Sequence, residues 1–241
     1  MTTFFISDLH LCEEARDSAR LFFHFIDTLP SDTEALYILG DLFEAYIGDD
    51  DDEAFNVNVK NALRSLTKRD IRLYYTRGNR DFLYGDAFAG KTQGLLLEDE
   101  TVIDLYGTPT LVLHGDQLCT DDKPYQQFRS LVRSSKWRGE FMMKSLAERR
   151  LMAQEMRRKS IESQKNNTDY ITDINADALQ SMLQTHRVNH VIHGHTHRPA
   201  VHPLSDGQRI VLGDWHDSAK IIRADQQGVR LLTLSIDGLS A

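Results

Sequence analysis

Apolar and polar positions along this chain follow two different periods. Short apolar runs rich in Ile, Val, Leu, Phe and Tyr, each closing on polar residues, predict strands. They are "TFFI" (3–6), "ALYIL" (35–39), "IRLYY" (71–75), "TLVL" (110–113) and "HVIH" (190–193), followed by "RIVLG", "AKIIRA" and "GVRLLTLSI". Helical spacing predicts helices over "SARLFFHFIDTL" (18–29), "DEAFNVNVKNALRSLTK" (52–68) and "NADALQSMLQTH" (175–186). Strands alternating with helices predict a layered α/β architecture in which helices cover a sheet or a pair of sheets.

One region departs from the alternation. From about Pro124 to Asn167 there is no strand signal, only helix-period sequence such as "FMMKSLAERRLMAQEMRRKS". The expectation is a single domain over 1–241 with a helical insertion at 124–167. Residues 129–165 hold eleven Lys or Arg against four Glu, a local balance of +7 in a chain of net charge −8, so the remainder carries −15. This asymmetry points either to an insertion with its own partner or to a solvated helical face laced with Glu–Arg pairs. Phe141, Met142, Met143, Leu146, Leu151, Met152 and Met156 stand among the basic residues. Core packing is the ordinary reason for such spacing; a groove for apolar chains beside anionic headgroups is the alternative.

Composition narrows the class. A chain of 241 residues, 41% hydrophobic and 27% charged, can bury a sizeable core and is ordinary for a globular protein. Its acidic balance argues against nucleic acid as a partner. Cys12 and Cys119 lie far apart and outside any CxxC pattern, so both read as reduced thiols, with Cys119 an inert small apolar residue. The opening "MTTFFISDLHL" has no basic lead and meets Asp8 too early for a secretory signal. No stretch approaches the roughly 18 apolar residues of a membrane span. A cytoplasmic protein, free to touch a membrane surface, is expected.

The chemistry sits where the predicted strands end. "TFFI" is followed by Asp8 and His10, "ALYIL" by Asp41, and "IRLYY" by Asn79, Arg80 and Asp81. "TLVL" is followed by His114 and Asp116, and "HVI" by His193, His195 and His197. In α/β sheets ligands bind beyond the C-terminal strand ends, so these side chains are expected in one crevice. Continued extension would aim Asp8 with His10, and likewise the three histidines of "HGHTH", to one side. Buried carboxylates are costly unless a cation neutralises them. Oxygen and nitrogen donors without thiolate suit Mn, Fe, Zn or Co. About seven candidate ligands exceed the needs of one ion, so two ions sharing a carboxylate is the economical reading. Two metals about 3.5–4 Å apart are a device for in-line displacement at phosphorus. The acidic run "GDDDDE" (48–53) reads instead as solvated carboxylates before a helix N-terminus.

The ordered blocks D-x-H, G-D, G-N-[HR]-[DE], H-G-D and G-H-T-H resemble the calcineurin-like metallophosphoesterases over most of the chain. The resemblance implies an αββα sandwich with a helical lid insertion and a dinuclear site. One ion would be held by Asp8, His10 and His197, the other by Asn79, His114 and His195, with Asp41 bridging. His193 is outside that ligand pattern and reads as a strand-end or supporting residue. Many relatives carry His after the Asn; here "GNRDF" has Arg80. A guanidinium cannot act as a general acid, yet it binds phosphate oxygens in bidentate fashion, which suits a pyrophosphate with its good leaving group.

"GNRDFL", "ILGDLFEAYIGDD", "HGDQLCTDD" and "IHGHTHRPAVH", with the insertion, are most similar to the branch of that family acting on UDP-2,3-diacylglucosamine in lipid A synthesis. That implies water attack on the α-phosphorus, giving UMP and 2,3-diacylglucosamine 1-phosphate, with two Mn²⁺ per subunit. It also implies a peripheral association with the cytoplasmic face of the inner membrane; a monomer is expected. Asp41 and Arg80 would serve catalysis, and Asn79, Arg80 and His195 would also meet substrate. Asp122 in "CTDD" and Ser160 in "RRKS" match substrate-contacting positions. The pattern then expects an Asn and a Lys where this chain has Gln164 and Asn167, with Lys165 beside them, so register or headgroup contacts differ. His216, in "GDWH", is a candidate that spacing does not place. Rival readings are a dinuclear pyrophosphatase or phosphodiesterase for a soluble nucleotide, and a non-catalytic metal-bound scaffold.

Overall fold

A computed structural model describes residues 1–164 and 173–240, the side chains of 161–164 aside. In chain order the elements are β1 (Thr2–Ile6), α1 (Arg16–Thr28), β2 (Thr33–Leu39), α2 (Ala54–Thr67), β3 (Arg72–Thr76), α3 (Asp86–Thr92) and β4 (Leu95–Leu96). There follow β5 (Glu100–Leu105), β6 (Thr108–Leu113), α4 (Lys123–Val132), α5 (Ser135–Met142), α6 (Leu146–Gln164) and α7 (Ala176–His186). The chain then runs through β7 (His190–His193), β8 (Ala200–Leu204), β9 (Gly207–Val211), β10 (Ser218–Asp225), β11 (Gly228–Ser235) and β12 (Gly238–Ser240). All eight predicted strands and three predicted helices form. The sequence reading does not include α3, β4, β5, β8 and β12: β4 and β12 are two and three residues long, α3 is seven, and β5 and β8 mostly alternate exposed with half-buried positions.

Two sheets result, ordered β12-β11-β10-β1-β2-β3-β4 and β5-β6-β7-β9-β8. β1 to β4 run parallel in the first, and β6, β7 and β9 in the second. Both faces of the central strands are buried, which is why they read as continuous apolar runs rather than alternating ones. Phe5 turns inward, to a cluster with Val112, Ile192, Ile210 and Ile222 from both sheets. Its neighbours Phe4 and Ile6 turn outward, against Phe22, Phe25 and Ile26 of α1 and Val59 and Leu63 of α2. In the second sheet Leu111, Leu113 and Val191 meet Leu179 of α7. The layers are helix, sheet, sheet, helix, as expected.

The strandless stretch holds α4, α5 and α6. Phe141 is fully buried and stacked on Trp137 at 4.8 Å, and Leu146, Met152 and Met156 pack against the outer core. Those four serve packing. Met143 (88% exposed), Leu151 (67%) and Met142 (40%) face solvent. Among the described residues no helix is long and apolar enough to cross a membrane.

Candidate metal centre

Parallel β1, β2 and β3 end on one side, and their loops meet those of β6 and β7. The Gly194 N–H donates to His114 O (2.8 Å), the Asp8 N–H to Gly40 O (3.1 Å), and the His10 N–H to Asp41 O (3.0 Å). Strand geometry does not extend into the site. Asp8 (φ 56), His10 (φ 50), Asp41 (φ 53), His195 (φ 67) and His197 (φ 54) are all left-handed. The expected two-residue alternation is therefore corrected: convergence comes from backbone curling after each strand. Such residues cost about 1–3 kcal/mol each and persist only where surroundings hold them, typically at functional sites. Glycine makes the room. A Cβ on Gly78 would collide with Asp41 Oδ1, and one on Gly194 with Asp8 Oδ2.

The convergent side chains form two groups whose ligand atoms lie within 4.8 Å of one another: Asp8, His10 and His197, and Asp8, Asp41 and His114. His10 Nε2 and His197 Nε2 face each other at 3.4 Å. Asp41 reaches both groups, with Oδ2 3.9 Å from His10 Nε2 and Oδ1 3.7 Å from His114 Nε2. Asn79 Oδ1 stands 2.9 Å from His114 Nε2 and 2.8 Å from His195 Nδ1. All seven residues expected as ligands thus lie together.

The donor set fits a divalent cation. His114 Nδ1 lies 2.8 Å from Leu39 O; with the proton there, Nε2 turns a lone pair toward the Asn79 carbonyl oxygen. Two acceptors at that distance want a cation or proton between them. Asp8 Oδ1 is buried without a hydrogen-bond partner, its nearest cationic neighbour being His197 Nε2 at 3.3 Å. Burial would raise the Asp8 carboxyl, but His197 and the charges of His114 and His10 outweigh it and hold the group well below the ordinary range. Burial opposes charge on His197 as well, yet Asp214 and Asp8 push it up to about 10. Burial pushes His195 down to about 4, aided by His114, and so keeps it a neutral potential ligand. The centre selects for positive charge between its carboxylates. It is a candidate divalent-metal site.

The sequence reading places Asp81 and Asp116 in the crevice without a role, and it does not find Asp214, Glu44 or the residues of α4 that support the centre. Asp81, fully buried, accepts from the N–H groups of Asp41 (3.1 Å), Leu42 (2.7 Å) and Gly78 (2.9 Å) and from Tyr84 OH (2.5 Å), tying the β2 and β3 loops together. Asp214 Oδ2 is 3.5 Å from His197 Nδ1, and Glu44 Oε2 is 3.2 Å from His10 Nδ1, so each can orient an imidazole. On α4, Arg129 and Tyr125 bind Asp116 Oδ2 (2.8 and 2.7 Å), and Arg133 donates to Gly78 O (3.1 Å). Asp81 and Asp116 close the G-N-R-D and H-G-D blocks, whereas no local motif marks Asp214, Glu44, Tyr125, Arg129 or Arg133.

Arg80 donates its backbone N–H to Asp41 Oδ1 (2.8 Å), while its side-chain Nε is buried without a partner. Among the described residues no carboxylate pairs with it. Asp122 caps α4, its Oδ1 accepting from the Tyr125 N–H (3.0 Å). Ser160 is half-buried on α6. Gln164 ends α6, and its side chain, with Lys165 and Asn167, lies outside the described residues. His193 ends β7, fully buried, with Nδ1 2.8 Å from Gly194 O. His216 is exposed, 3.0 Å from Asp214. Burial pushes the Cys119 thiol up to about 12, in keeping with an inert role. The acidic run needs correction: Asp51 is buried, and its neighbours bind cations and amides of distant elements rather than water alone.

Residues 1–199 match the calcineurin-like phosphoesterase family, and the chain belongs to it. Its curated relatives are hydrolases, and so is this chain. A protein named UDP-2,3-diacylglucosamine hydrolase from Hahella chejuensis (strain KCTC 2396) is 39% identical over 244 residues, covering 100% of both chains. Proteins of the same name from Cellvibrio japonicus (strain Ueda107) and Serratia proteamaculans (strain 568) are 42% and 44% identical, each covering 96% of this chain and 98% of the relative. Among solved structures, an archaeal phosphodiesterase (13% identical, TM-score 0.51, 97% of this chain, 100% of that one) shares the fold. So does a Vps29 mutant from Entamoeba histolytica (13%, 0.51, 97% and 91%).

Proposed function

We propose that this chain hydrolyses the pyrophosphate of UDP-2,3-diacylglucosamine in lipid A synthesis, with two Mn²⁺ ions per subunit. Asp8, His10 and His197 would hold one ion, Asn79, His114 and His195 the other, and Asp41 both. When bound, the ions supply charge neutralisation at the phosphate oxygens and an activated water. The observation that carries the reading is the convergence of these seven ligands beside a guanidinium, Arg80, that no carboxylate of the described residues engages.

The chain's own residues then do the following. Arg80 binds non-bridging oxygens of the pyrophosphate and stabilises charge that grows in the transition state. Asp81 keeps Asp41, Gly78 and hence Asn79 and Arg80 in register, so that both loops present their side chains to one phosphate. The water oxygen bonds to the α-phosphorus, and its protons pass to solvent. The bond from that phosphorus to the bridging oxygen breaks, and the oxygen leaves with 2,3-diacylglucosamine 1-phosphate, leaving UMP. Because the leaving group is a phosphate monoester, no side-chain acid is required, which suits Arg80 in place of a histidine. Asp122, Ser160, His195, Gln164 and Asn167 are proposed to meet the substrate. Helices α4 to α6 would form the lid over it within one domain, and exposed Met142, Met143 and Leu151 among basic residues would meet the inner-membrane surface.

The test is incubation with Mn²⁺ and UDP-2,3-diacylglucosamine in ¹⁸O-labelled water, with UDP-N-acetylglucosamine in parallel and products read by mass spectrometry. Label in UMP from the acylated substrate alone is expected. Equal cleavage of the unacylated compound would favour a pyrophosphatase for soluble nucleotides and demote the lid to packing.

A further inference from the structure

The acidic loop after β2 and helix α6 are joined by a bidentate ion pair that the chemistry above does not use. Arg149, in the first turn of α6, is 2% exposed. Its Nη1 donates to Asp50 Oδ1 (2.8 Å) and Ile47 O (2.7 Å), its Nη2 to Asp50 Oδ2 (2.5 Å), and its Nε to Lys144 O (3.1 Å). Gly48 makes this possible, since a Cβ there would lie 2.5 Å from Arg149 Nη1. Beside it, Arg150 Nη2 reaches Asp51 Oδ1 (2.8 Å) and Glu53 Oε1 (2.9 Å). Two turns further along α6, Arg157 pairs with Glu44, the carboxylate next to His10. One loop, residues 41–53, therefore carries a candidate metal ligand at its start and the anchor of α6 at its end.

We propose that the Arg149–Asp50 pair is a positioning latch: it fixes α6 relative to the metal centre and so sets the affinity for the acylated part of the substrate, without touching the reacting phosphate. The geometry supports a latch over a surface pair. A planar fork that is itself buried and donates to four acceptors, two of them backbone carbonyls, fixes direction as well as distance, whereas a pair exposed on both sides leaves the helix free to swing. At that end of α6 the other ties are the half-exposed Arg150, paired with Asp51 and Glu53, and the packing of Leu146 and Met152 on the outer core, while Leu151 faces solvent. The identity of the acylated substrate rests on the function proposed above; the latch itself does not.

The experiment uses the full chain with Mn²⁺ and compares the wild type with Asp50→Asn, Asp50→Glu, Arg149→Gln and the double variant Asp50→Asn with Arg149→Gln. Asp50 is half-exposed, so Asp50→Asn keeps the fold and carries the test even if Arg149→Gln does not. Its KM for UDP-2,3-diacylglucosamine should rise roughly tenfold with kcat within about twofold, and amide exchange over residues 146–160 should quicken by a similar factor. The double variant should be no worse than Arg149→Gln alone, because the two residues act as one unit. Asp50→Glu, which keeps the carboxylate, should recover most of the KM. Unchanged exchange over 146–160 in Asp50→Asn overturns the latch, as does a fall in kcat with KM unmoved. If the wild type fails to cleave the acylated substrate, the functional reading falls, and exchange alone then decides for or against the latch.

Discussion

Asp8 and Asp41 on one side, and the acids from Asp49 to Glu53 on the other, are the same chemical groups, Asp41 even in the same loop as the run, with opposite accounts of their charge. The run is answered from within the chain. Asp49 accepts from the N–H groups of Gly85 (3.2 Å) and Phe88 (3.0 Å) and from Tyr46 OH (2.9 Å). Asp50 takes Arg149, Asp51 takes Asn56 and Arg150, and Asp52 takes Lys91. Asp8 and Asp41 are buried deeper; each accepts one loop N–H, from His195 and Arg80, but for charge they face imidazole nitrogens rather than the guanidinium and ammonium groups that meet the run. A carboxylate with an internal partner builds the fold; one left for an external cation builds a site. Density of acid in the sequence does not separate the two.

The sharpest way to break this comparison is to remove the second kind. Asp41→Ala should lower turnover by about 10³-fold or more and cut the bound Mn²⁺, read by steady-state kinetics and metal analysis on the same preparation. Metal-free Tm should hold or rise, because a buried, poorly compensated charge has gone. Retained turnover would refute a shared role for Asp41. Arg80→Ala is expected next in size, with kcat down about 10²–10³-fold and metal content unchanged. Loss of metal in that variant would make Arg80 a support for the centre rather than a phosphate ligand.

Much of this was legible in the sequence because it is local. Strand runs followed at once by Asp8, Asp41, Asn79, His114 and His195 announce both the sheet and the crevice at its edge. The way the ligands converge was not legible: φ is left-handed at five of them, and the backbone N–H groups of Asp8, His10, Asp41 and His195 are held by acceptors on other loops. Nor was the role of Asp81, which accepts amides about 40 residues away, nor Asp214 behind His197. The acidic run was misread for the same reason. Asp50 and Asp51 look like solvated residues until a helix 99 residues later brings Arg149 and Arg150 to them. The +7 balance of residues 129–165 is thus met in part by this chain's own −15 remainder, through pairs that spacing cannot show.

Within the run itself, burial and geometry should rank the effects. Asp49→Ala strands two N–H donors at the start of α3 and the Tyr46 hydroxyl, and should destabilise by about 2 kcal/mol, roughly 5 °C in Tm, with kcat close to wild type. Calorimetry with and without Mn²⁺ should give the same drop, since no ligand of the centre moves.

Asp52→Ala should do least. Its carboxylate is fully open to water, and the hydrogen bond from Lys91 Nζ at 2.7 Å holds it below the ordinary carboxylate value without burying either partner. Water and salt screen such a pair, and two flexible side chains must be ordered to make it. Tm and activity of Asp52→Ala should match the wild type within experimental scatter at 0.15 M salt. A clear loss would mean that Lys91, 3.4 Å from the Asp49 carbonyl oxygen, needs Asp52 to hold the loop that also carries Asp49 and Asp50. The run would then act as one cooperative clamp rather than as separate pairs, and the latch on α6 would extend through it to α3.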